Sequence, residues 1–340
     1  MITNSKVRFG LWYDFRNPAQ WRQPYTRLYG EILDQIVWAE NNGFDDVWLS
    51  EHHFIDDGYL PSMLPVAAAI AARTKRIRIP LGVLLMPFHN PVRLAEDIAV
   101  VDVISGGRFE LGVGVGYKVE EFTGFNVPFK DRGARTNESL EIIGRLLAGE
   151  TLTYKGKFFE VNKVKLTPEA VQKPRPPIWV GGFTPPALRR AAKYADGFTA
   201  PNASRKVYDA YVEEVRKAGR PVDSIRFGGG YNWLICSNDP DQTFNEAADH
   251  IIYQSNLYTE WAAKAGQNTN PVYFKDRAHL REAGGLKVVD PATCIKMIRE
   301  YVEKVPVTHF YSWTLPPGRP PKWAQEHLEL FASRVIPAFR

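Results

Sequence analysis

Cysteine is scarce in this sequence of 340 residues, and its scarcity removes several classes of protein at once. Only Cys236 and Cys294 are present, too few for a disulfide framework or a cysteine-rich metal site, which suits a reducing cytoplasm. No apolar stretch is long enough to span a bilayer, and the first residues lack the basic and apolar pattern of a signal peptide. We therefore expect a cytoplasmic protein that does not bind membranes.

Long blocks of like charge are missing as well. The net charge of +5 comes from 43 Lys and Arg residues that are scattered among 38 Asp and Glu residues. Such scatter gives weak support to small anionic ligands and argues against nucleic acid as a partner.

What the sequence does contain is a regular alternation of apolar runs and amphipathic segments. Strands are expected over residues 7–13, 46–53, 77–86, 108–116, 178–182, 197–200, 225–236 and 309–315. Each is followed by a segment with the apolar spacing of a helix, among them 244–264 and 323–335. Eight such units predict an α/β protein with a (β/α)8 TIM-barrel fold. Because no shift in composition marks a boundary, residues 1–340 are expected to form a single domain.

Two segments interrupt this alternation. Residues 153–166 are typical of a small hairpin that turns at Lys155-Gly156-Lys157. Residues 266–290 are polar and basic, and loops of this length in a compact domain are usually functional or disordered. We interpret 266–290 as a lid-like insertion near the carboxyl ends of the strands, with a surface insertion as the alternative.

The expected strand over 108–116 has two unlike faces, because large apolar side chains alternate with glycines along it. The glycine face carries Gly112, Gly114 and Gly116. Either these glycines leave a bare wall along which a flat ligand lies, or they only allow the barrel interior to close.

The most reactive side chains at an expected strand end lie in the run SEHHF over residues 50–54. Val47 and Leu49 belong against the helices, so strand alternation directs His52 into the barrel mouth. Because adjacent strand residues point apart, a metal site made of His52 and His53 is not expected. Imidazole exchanges protons near neutral pH, so we expect His52 to donate or accept a proton and His53 to be a buried structural residue.

A second candidate site follows the expected strand over 178–182. There Gly181 and Gly182 precede Thr184 and a helix, and bare amides at a helix start bind phosphate. Pro185 and Pro186 remove two N–H donors, so the amides of residues 181–184 would do the binding. Arg135 lies at the start of an earlier helix. It is either a clamp for an anion or a solvated side chain, and the sequence favours neither interpretation.

Several separated motifs, in the right order, resemble the bacterial luciferase-like flavin-dependent oxidoreductases. They are NPVRLAEDIAVVDVISGGRFELGVGVGYKVEEF over 90–122, the cluster EHHF over 51–54, and PIWVGG over 177–182. The resemblance covers most of residues 6–235. It implies a TIM barrel, usually a homodimer formed through early helices, that holds reduced FMN or the deazaflavin F420 at its carboxyl-end mouth.

The resemblance also assigns residues. His52 matches the active-site histidine, and Glu121 lies where the family often has an acidic residue near the mouth. Gly82, Val83 and Leu84 match the strand end that often carries a non-prolyl cis bond behind the flavin ring. Gly114 and Gly116 are like the wider family along the cofactor wall, and Gly181 and Gly182 match the phosphate end, where Thr184 and Arg135 are further candidates.

One departure from the luciferase pattern limits the activity that is expected. Luciferase has a Cys-Arg pair in its fourth strand, with the Arg gripping the FMN phosphate, whereas this chain has Gly114 and Val115. Bioluminescence itself is therefore not expected. The double His after Glu51 is more similar to the FMN monooxygenases than to the F420 enzymes.

The expected function is therefore a two-component monooxygenase that uses reduced FMN, supplied by a separate flavin reductase, and O2. A dinucleotide fingerprint is not evident, which fits a borrowed reductant. Hydride transfer with F420, helped by His52 and Glu121, is the alternative, and a non-catalytic flavin-binding protein is a second one. Aromatic and apolar residues expected at the mouth suggest an apolar or cyclic organic substrate, and the alternative is that they are packing; they are Trp12, Phe54, Met86, Trp233 and Trp313.

Overall fold

A computed structural model describes residues 7–266 and 272–340 of the chain. Its strands are β1 (Arg8–Tyr13), β2 (Asp46–Leu49), β3 (Ile79–Pro80), β4 (Leu84–Leu85), β5 (Phe109–Gly114), β6 (Leu152–Lys155), β7 (Glu160–Val164), β8 (Ile178–Gly181), β9 (Gly197–Thr199), β10 (Arg226–Gly229), β11 (Leu234–Cys236), β12 (Lys287–Val289) and β13 (His309–Trp313). Its helices are α1 (Tyr25–Asn41), α2 (Met63–Arg73), α3 (Pro91–Ser105), α4 (Val119–Gly124), α5 (Arg132–Leu147), α6 (Pro185–Tyr194), α7 (Arg205–Lys217), α8 (Pro240–Lys264), α9 (Arg277–Glu282), α10 (Pro291–Lys304) and α11 (Pro321–Leu330).

Parallel strands form a barrel in the order β2, β1, β13, β10, β9, β8, β5 and β3, with β4 also paired to β5. Single bridges between Asp46 and Arg78 and between Leu49 and Leu81 join β2 to the β3 region, so the circle closes. The helices cover the outside of this barrel. The eight-stranded barrel predicted from the alternation of apolar runs is therefore confirmed.

Two of the predicted strands are each divided into two shorter strands. The run 77–86 is divided into β3 and β4, and the peptide bond between Gly82 and Val83, in the interruption, is cis. The run 225–236 is divided into β10, which stays in the barrel, and β11, which leaves it and pairs with β12. The last helix ends at Leu330 and continues as a π turn over Phe331–Val335, so the prediction of one helix over 323–335 was too simple.

Aromatic side chains fill the barrel interior. Trp48 and Trp179 are almost fully buried and meet edge to face, with ring centroids 5.3 Å apart. Glycines opposite them make the room, because a Cβ at Gly10 would lie 2.8 Å from the Trp48 ring nitrogen and one at Gly197 would lie 2.5 Å from the Trp179 ring. The interior is thus packed core, and any ligand space must lie at its ends.

The insertions differ from each other. Strands β6 and β7 form the predicted antiparallel hairpin, tied to α5 where Glu138 accepts the N–H groups of Lys157 and Phe158. Of the predicted lid segment, 267–271 lie outside the described residues. The described part is folded rather than open: it contains α9 and β12, and buried Phe274 and Leu280 pack with the apolar face of α8.

Within the described ranges, none of the helices is long and apolar enough to cross a membrane.

Candidate active site

The predicted strand over 46–53 was too long: β2 ends at Leu49, and His52 and His53 lie in the loop that follows it. Their side chains contact different groups. His52 Nδ1 lies 2.8 Å from Glu121 Oε1, and the backbone N–H of His53 donates to the same oxygen at 2.8 Å. Because a carboxylate oxygen can only accept, His52 carries its proton on Nδ1 in this contact and leaves Nε2 as the free ring nitrogen. The structure thus brings His52 and Glu121 together.

Glu121 comes from the short helix α4, which follows the end of β5. Its side chain is completely buried, and its second oxygen, Oε2, has no hydrogen-bond partner among the described residues. A buried carboxylate oxygen without a partner is costly, which is typical of a group that meets a bound molecule or ordered water.

An aromatic enclosure surrounds the imidazole of His52. We use this term for Tyr59, Tyr117, Tyr258 and Trp261, whose ring centroids lie 4.9, 5.6, 5.9 and 5.0 Å from that of His52. The hydroxyl groups of Tyr59 and Tyr258 are 2.8 Å apart and form a hydrogen bond. The imidazole of His52 therefore lies among four aromatic rings, two of which carry hydroxyl groups that bond to each other.

None of the four members of this enclosure was predicted from the sequence. Two of them come from α8, where Gln254, Tyr258 and Trp261 stand at i, i+4 and i+7 and so share one helix face. That spacing was visible in the sequence. Its direction toward the barrel mouth was not, because only the packed position of α8 decides which face meets His52.

Arg16 is a fifth residue of this region that was not predicted from the sequence. Its side chain is fully buried, with Nε 3.3 Å from Asp14 Oδ2 and Nη1 3.5 Å from Asp57 Oδ2. Burial raises the pKa of the Asp14 carboxyl to about 6, although the charge of Arg16 opposes that shift. The guanidinium also lies 4.5 Å from the ring centroid of Tyr59, so it forms the back of the aromatic enclosure.

His53 occupies a different, structural cluster. Its Nε2 lies 2.7 Å from Glu51 Oε1, and its carbonyl oxygen accepts a hydrogen bond from Lys118 Nζ at 3.0 Å. Burial tends to raise the pKa of Glu51, but hydrogen bonds from His53 and His89 outweigh it and leave this pKa lowered. These contacts fix the turn after β2. Among the described residues, no group of three or more His, Cys, Asp or Glu side chains is placed to hold a metal ion.

The glycine face of β5 is not the bare wall that was one of the two expectations. A Cβ at Gly112 would lie 1.7 Å from the carbonyl oxygen of Leu81, so this glycine admits the backbone that closes the barrel. A Cβ at Gly114 and one at Gly181 would lie 2.7 and 2.6 Å from the two methyl groups of Val83. The Val83 side chain therefore sits between these two glycines, on the surface where the flavin ring was expected.

Gly116 and Leu84, two further predicted cofactor residues, face the protein interior behind the surface formed by Val83. Gly116 has a positive φ of 72°, and a Cβ there would lie 3.2 Å from the Phe122 ring. Leu84 is 1% exposed and belongs to the apolar core, so its side chain lies behind the mouth. Of the predicted cofactor residues in this region, Val83 is the one whose side chain lies at the mouth.

The predicted phosphate end is a loop between β8 and α6. Gly182 has a φ of 150°, Thr184 precedes the first helical residue Pro185, and the N–H groups of Phe183 and Thr184 form no hydrogen bond within the described ranges. Two free amides at the start of a ten-residue helix fit a phosphate group. The residues present therefore fit a phosphate-bearing flavin cofactor, whose phosphate the amides of Phe183 and Thr184 would hold.

Arg135 does not belong to this loop by any contact that the structure shows. Its Nε donates to the carbonyl oxygen of Pro87 at 3.0 Å, and its guanidinium lies over the Phe159 ring at 4.6 Å. Arg132 likewise donates to a backbone carbonyl, that of Phe129, at 2.8 Å. The structure thus gives both arginines protein partners rather than an open anion clamp.

The predicted substrate-pocket residues are mostly packing. Trp12 and Trp313 stack on each other with ring centroids 3.6 Å apart, Met86 is fully buried, and Trp233 donates to Gln254 at 3.0 Å. Phe54 is 62% exposed on the rim. It borders an open groove of about 570 Å³ whose other lining residues are Val119, Glu120, Thr123, Gly124 and Lys264. Large aromatic and apolar type alone predicted these positions, and four of the five side chains are buried in packing contacts.

Comparison with known proteins adds an independent line of evidence. The family model for luciferase-like monooxygenases matches residues 7–308. An F420-dependent glucose-6-phosphate dehydrogenase from Nakamurella multipartita is 34% identical, over 100% of this chain and 98% of its own. The 4-hydroxyprotoasukamycin monooxygenase from Streptomyces nodosus subsp. asukaensis is 33% identical, over 88% and 81%.

A solved structure, that of the monooxygenase RslO1 from Streptomyces bottropensis, has a TM-score of 0.82 at 25% identity and covers 98% of this chain and 100% of that one. Other curated relatives align over less of their length. The match spans 50% of an uncharacterized protein from Sinorhizobium fredii and 61% of an F420-dependent glucose-6-phosphate dehydrogenase from Microbacterium testaceum. The family match, the barrel and the relatives agree, and the chain belongs to the family of luciferase-like monooxygenases and F420-dependent oxidoreductases.

Proposed function

We propose that the protein is a flavin-dependent monooxygenase that uses reduced FMN and O2 to oxygenate an apolar or cyclic organic substrate. The observation that carries this proposal is the His52–Glu121 pair inside the aromatic enclosure. A proton-transfer group held in mostly apolar surroundings, beside a mouth that fits FMN, is what such a reaction needs.

His52 is the proton carrier in this proposal. Glu121 Oε1 accepts the hydrogen bond from Nδ1 of His52, with 2.8 Å between the two atoms, and also accepts one from the N–H of His53. The imidazole is therefore held in one orientation and one tautomer. Its Nε2 then accepts or returns a proton at the reacting centre, while Glu121 stabilises the imidazolium that forms. Bound reduced FMN would supply the electrons that activate O2.

The enclosure also favours an apolar substrate. Arg16 and Lys118 are the two cations near the enclosure in the described part of the chain, and both already face oxygen atoms of the protein. Arg16 forms ion pairs with Asp14 and Asp57, and Lys118 donates to the carbonyl oxygen of His53. The aromatic rings keep water from the free nitrogen of His52, which limits side reactions of the activated oxygen.

The second candidate is hydride transfer with F420. It is favoured by the dehydrogenase from Nakamurella multipartita, which matches over the whole chain at 34% identity. In that reaction His52 would move a proton to or from the substrate, with Glu121 again holding its Nδ1–H. A phosphorylated sugar is less favoured for this chain, because the charge of Arg16, the buried cation beside the enclosure, is already balanced by Asp14 and Asp57.

We also infer a flavin reductase as partner, because a two-component enzyme receives its flavin already reduced. A single domain over 1–340 that works as a homodimer completes the proposal. Size-exclusion chromatography with light scattering tests the dimer, and a monomer at micromolar concentration would contradict it.

The experiment that separates the two reactions is an anaerobic titration with reduced FMN and, separately, with reduced F420, followed by tryptophan fluorescence. Air is then admitted, and oxygen uptake is recorded with and without a panel of apolar ring compounds. Binding of FMN, followed by incorporation of isotope-labelled oxygen into one of these compounds, supports the monooxygenase. Binding of F420 without oxygen uptake favours hydride transfer.

The matched variants are His52→Gln and Glu121→Gln. Each should bind the cofactor as the native protein does and lose turnover, since neither residue contacts the phosphate loop. A protein that binds flavin yet shows no turnover with or without these substitutions would be a binding protein only. Unchanged turnover in His52→Gln would contradict the role given to this residue.

A further inference from the structure

The buried cation Arg16 contacts the same aromatic rings as the proposed proton carrier. Its guanidinium carbon lies 4.5, 5.0 and 5.3 Å from the ring centroids of Tyr59, Tyr258 and Trp261. These three rings are also neighbours of His52, at 4.9, 5.9 and 5.0 Å. Arg16 and His52 therefore share one set of aromatic neighbours.

None of the three guanidinium nitrogens has a hydrogen-bond partner with good geometry among the described residues, although the side chain is fully buried. Arginine is normally buried with its donors satisfied, and losing them is costly. The guanidinium carbon of Arg16 instead lies over three aromatic rings, as in cation–π contacts. The broad, weakly hydrated guanidinium suits such contacts better than a compact ammonium does.

The carboxylates beside Arg16 extend its contacts to α8. Asp14 Oδ2 accepts a hydrogen bond from Gln254 at 2.9 Å, and Asp57 Oδ2 accepts one from Tyr253 at 3.2 Å. Both partners lie on α8, whose next turns carry Tyr258 and Trp261. The charged cluster at the ends of β1 and β2 therefore joins α8 to the barrel mouth at the level of the aromatic enclosure.

We propose that Arg16 is a positioning residue, which holds Tyr258 and Trp261 of α8 against His52 and so sets the access to the imidazole. It acts through these rings, since its own side chain is fully buried. The proposal concerns the wall around His52, and it holds whether FMN or F420 binds at the mouth.

The test measures access to His52 without any substrate. Diethyl pyrocarbonate modifies accessible imidazoles, and tandem mass spectrometry of the digested protein separates His52 from His53. Fluorine NMR of protein labelled with fluorotryptophan reports the position of the Trp261 ring, whose signal is assigned with Trp261→Phe. Reduced FMN binding is measured on the same samples.

Arg16→Lys keeps a positive charge between the two carboxylates but loses the flat guanidinium, so it should fold. We expect it to raise the rate of His52 modification by about threefold and to shift the Trp261 signal, because an ammonium cannot stack on three rings. The triple variant Asp14→Asn, Arg16→Met, Asp57→Asn removes the charges without leaving one unpaired, and we expect about tenfold faster modification from it. FMN binding should change less than twofold in both, since the phosphate loop is not touched.

The control is Arg277→Met. Arg277 also pairs with a carboxylate of α8, Asp249, at 2.8 and 2.5 Å, but on the exposed side of the helix. Its His52 modification rate and Trp261 signal should equal those of the native protein. The proposal is overturned if Arg16→Lys and the triple variant leave both readouts unchanged, or if the control changes them equally, which would indicate general loosening of α8.

Discussion

Replacing Gly112 with Ala tests whether the glycine row of β5 serves packing or a ligand. The added Cβ would lie 1.7 Å from the carbonyl oxygen of Leu81, which is backbone and cannot rotate away. The Leu81 carbonyl would have to retreat by more than about 1 Å to reach van der Waals contact. The structure therefore predicts that this substitution damages the barrel itself.

The cost can be worked from the bonds that the shift would break. The N–H of Leu81 donates to Glu110 at 3.0 Å, and the N–H of Gly82 donates to Leu49 at 2.6 Å, so the same backbone joins β3 to β5 and to β2. Overpacking costs about 1–3 kcal/mol, and each backbone hydrogen bond contributes about 1 kcal/mol. We expect Gly112→Ala to lower the free energy of unfolding by about 3–5 kcal/mol.

The assay is urea denaturation followed by tryptophan fluorescence, with Gly30→Ala as the matched control. Gly30 is inside α1, and a Cβ there meets no heavy atom within 4 Å. This control should stabilise the protein by about 0.5–1 kcal/mol through helix propensity. Should Gly112→Ala unfold within about 0.5 kcal/mol of the native protein, the packing explanation is refuted and the ligand-wall interpretation regains ground.

Three further substitutions address the site and the barrel interior. Glu121→Gln keeps an acceptor for the His53 N–H but loses the charge, so we expect turnover to fall by about 10- to 100-fold, because hydrogen bonds to charged groups contribute about 1.5–3 kcal/mol. Gly182→Ala places a Cβ 2.9 Å from that of Ala187 and should weaken FMN binding by about tenfold, as measured by the anaerobic titration. Burial lowers the pKa of His309 to about 3, so the neutral form is favoured in the folded state. The native protein should therefore lose about 2 kcal/mol of stability relative to His309→Gln between pH 7 and 5, as the unfolded chain takes up the proton, and urea denaturation at each pH measures this.

Each of these predictions has its own control or contrary result. Gly219→Ala places Ala at a positive φ of 68° with no heavy atom within 4 Å of the Cβ, so it should affect stability and leave FMN binding unchanged. Equal binding by Gly182→Ala and the native protein would remove the phosphate assignment. Parallel stability profiles of native protein and His309→Gln from pH 7 to 5 would show that His309 does not titrate as its burial implies. Glu121→Gln with native turnover would leave His52 without a necessary partner.

Local patterns in the sequence were sufficient for the barrel. Alternating apolar runs and helical spacing depend on neighbours along the chain, so they identified the barrel strands and the hairpin. The direction of His52 was predicted from a strand that in fact ends at Leu49. Glu121 was reached through resemblance to a family, and the structure places it 2.8 Å from His52. The division of the runs 77–86 and 225–236 was missed, although each run contains residues that often interrupt a strand: Pro80 and Gly82 in the first, and Gly228, Gly229 and Gly230 in the second.

The rest of the site depends on contacts between residues far apart in sequence. Arg16, Tyr59, Tyr117, Tyr258 and Trp261 come from four segments, and no local pattern marks them as neighbours of one imidazole. In the opposite direction, aromatic type suggested a ligand pocket where barrel packing had already buried the rings. The sequence by itself determined where the eight units of the barrel lie, since apolar runs and helical spacing are local patterns. Only the tertiary structure decided what each side chain meets, because burial and contact depend on how helices such as α8 cross the mouth of the barrel.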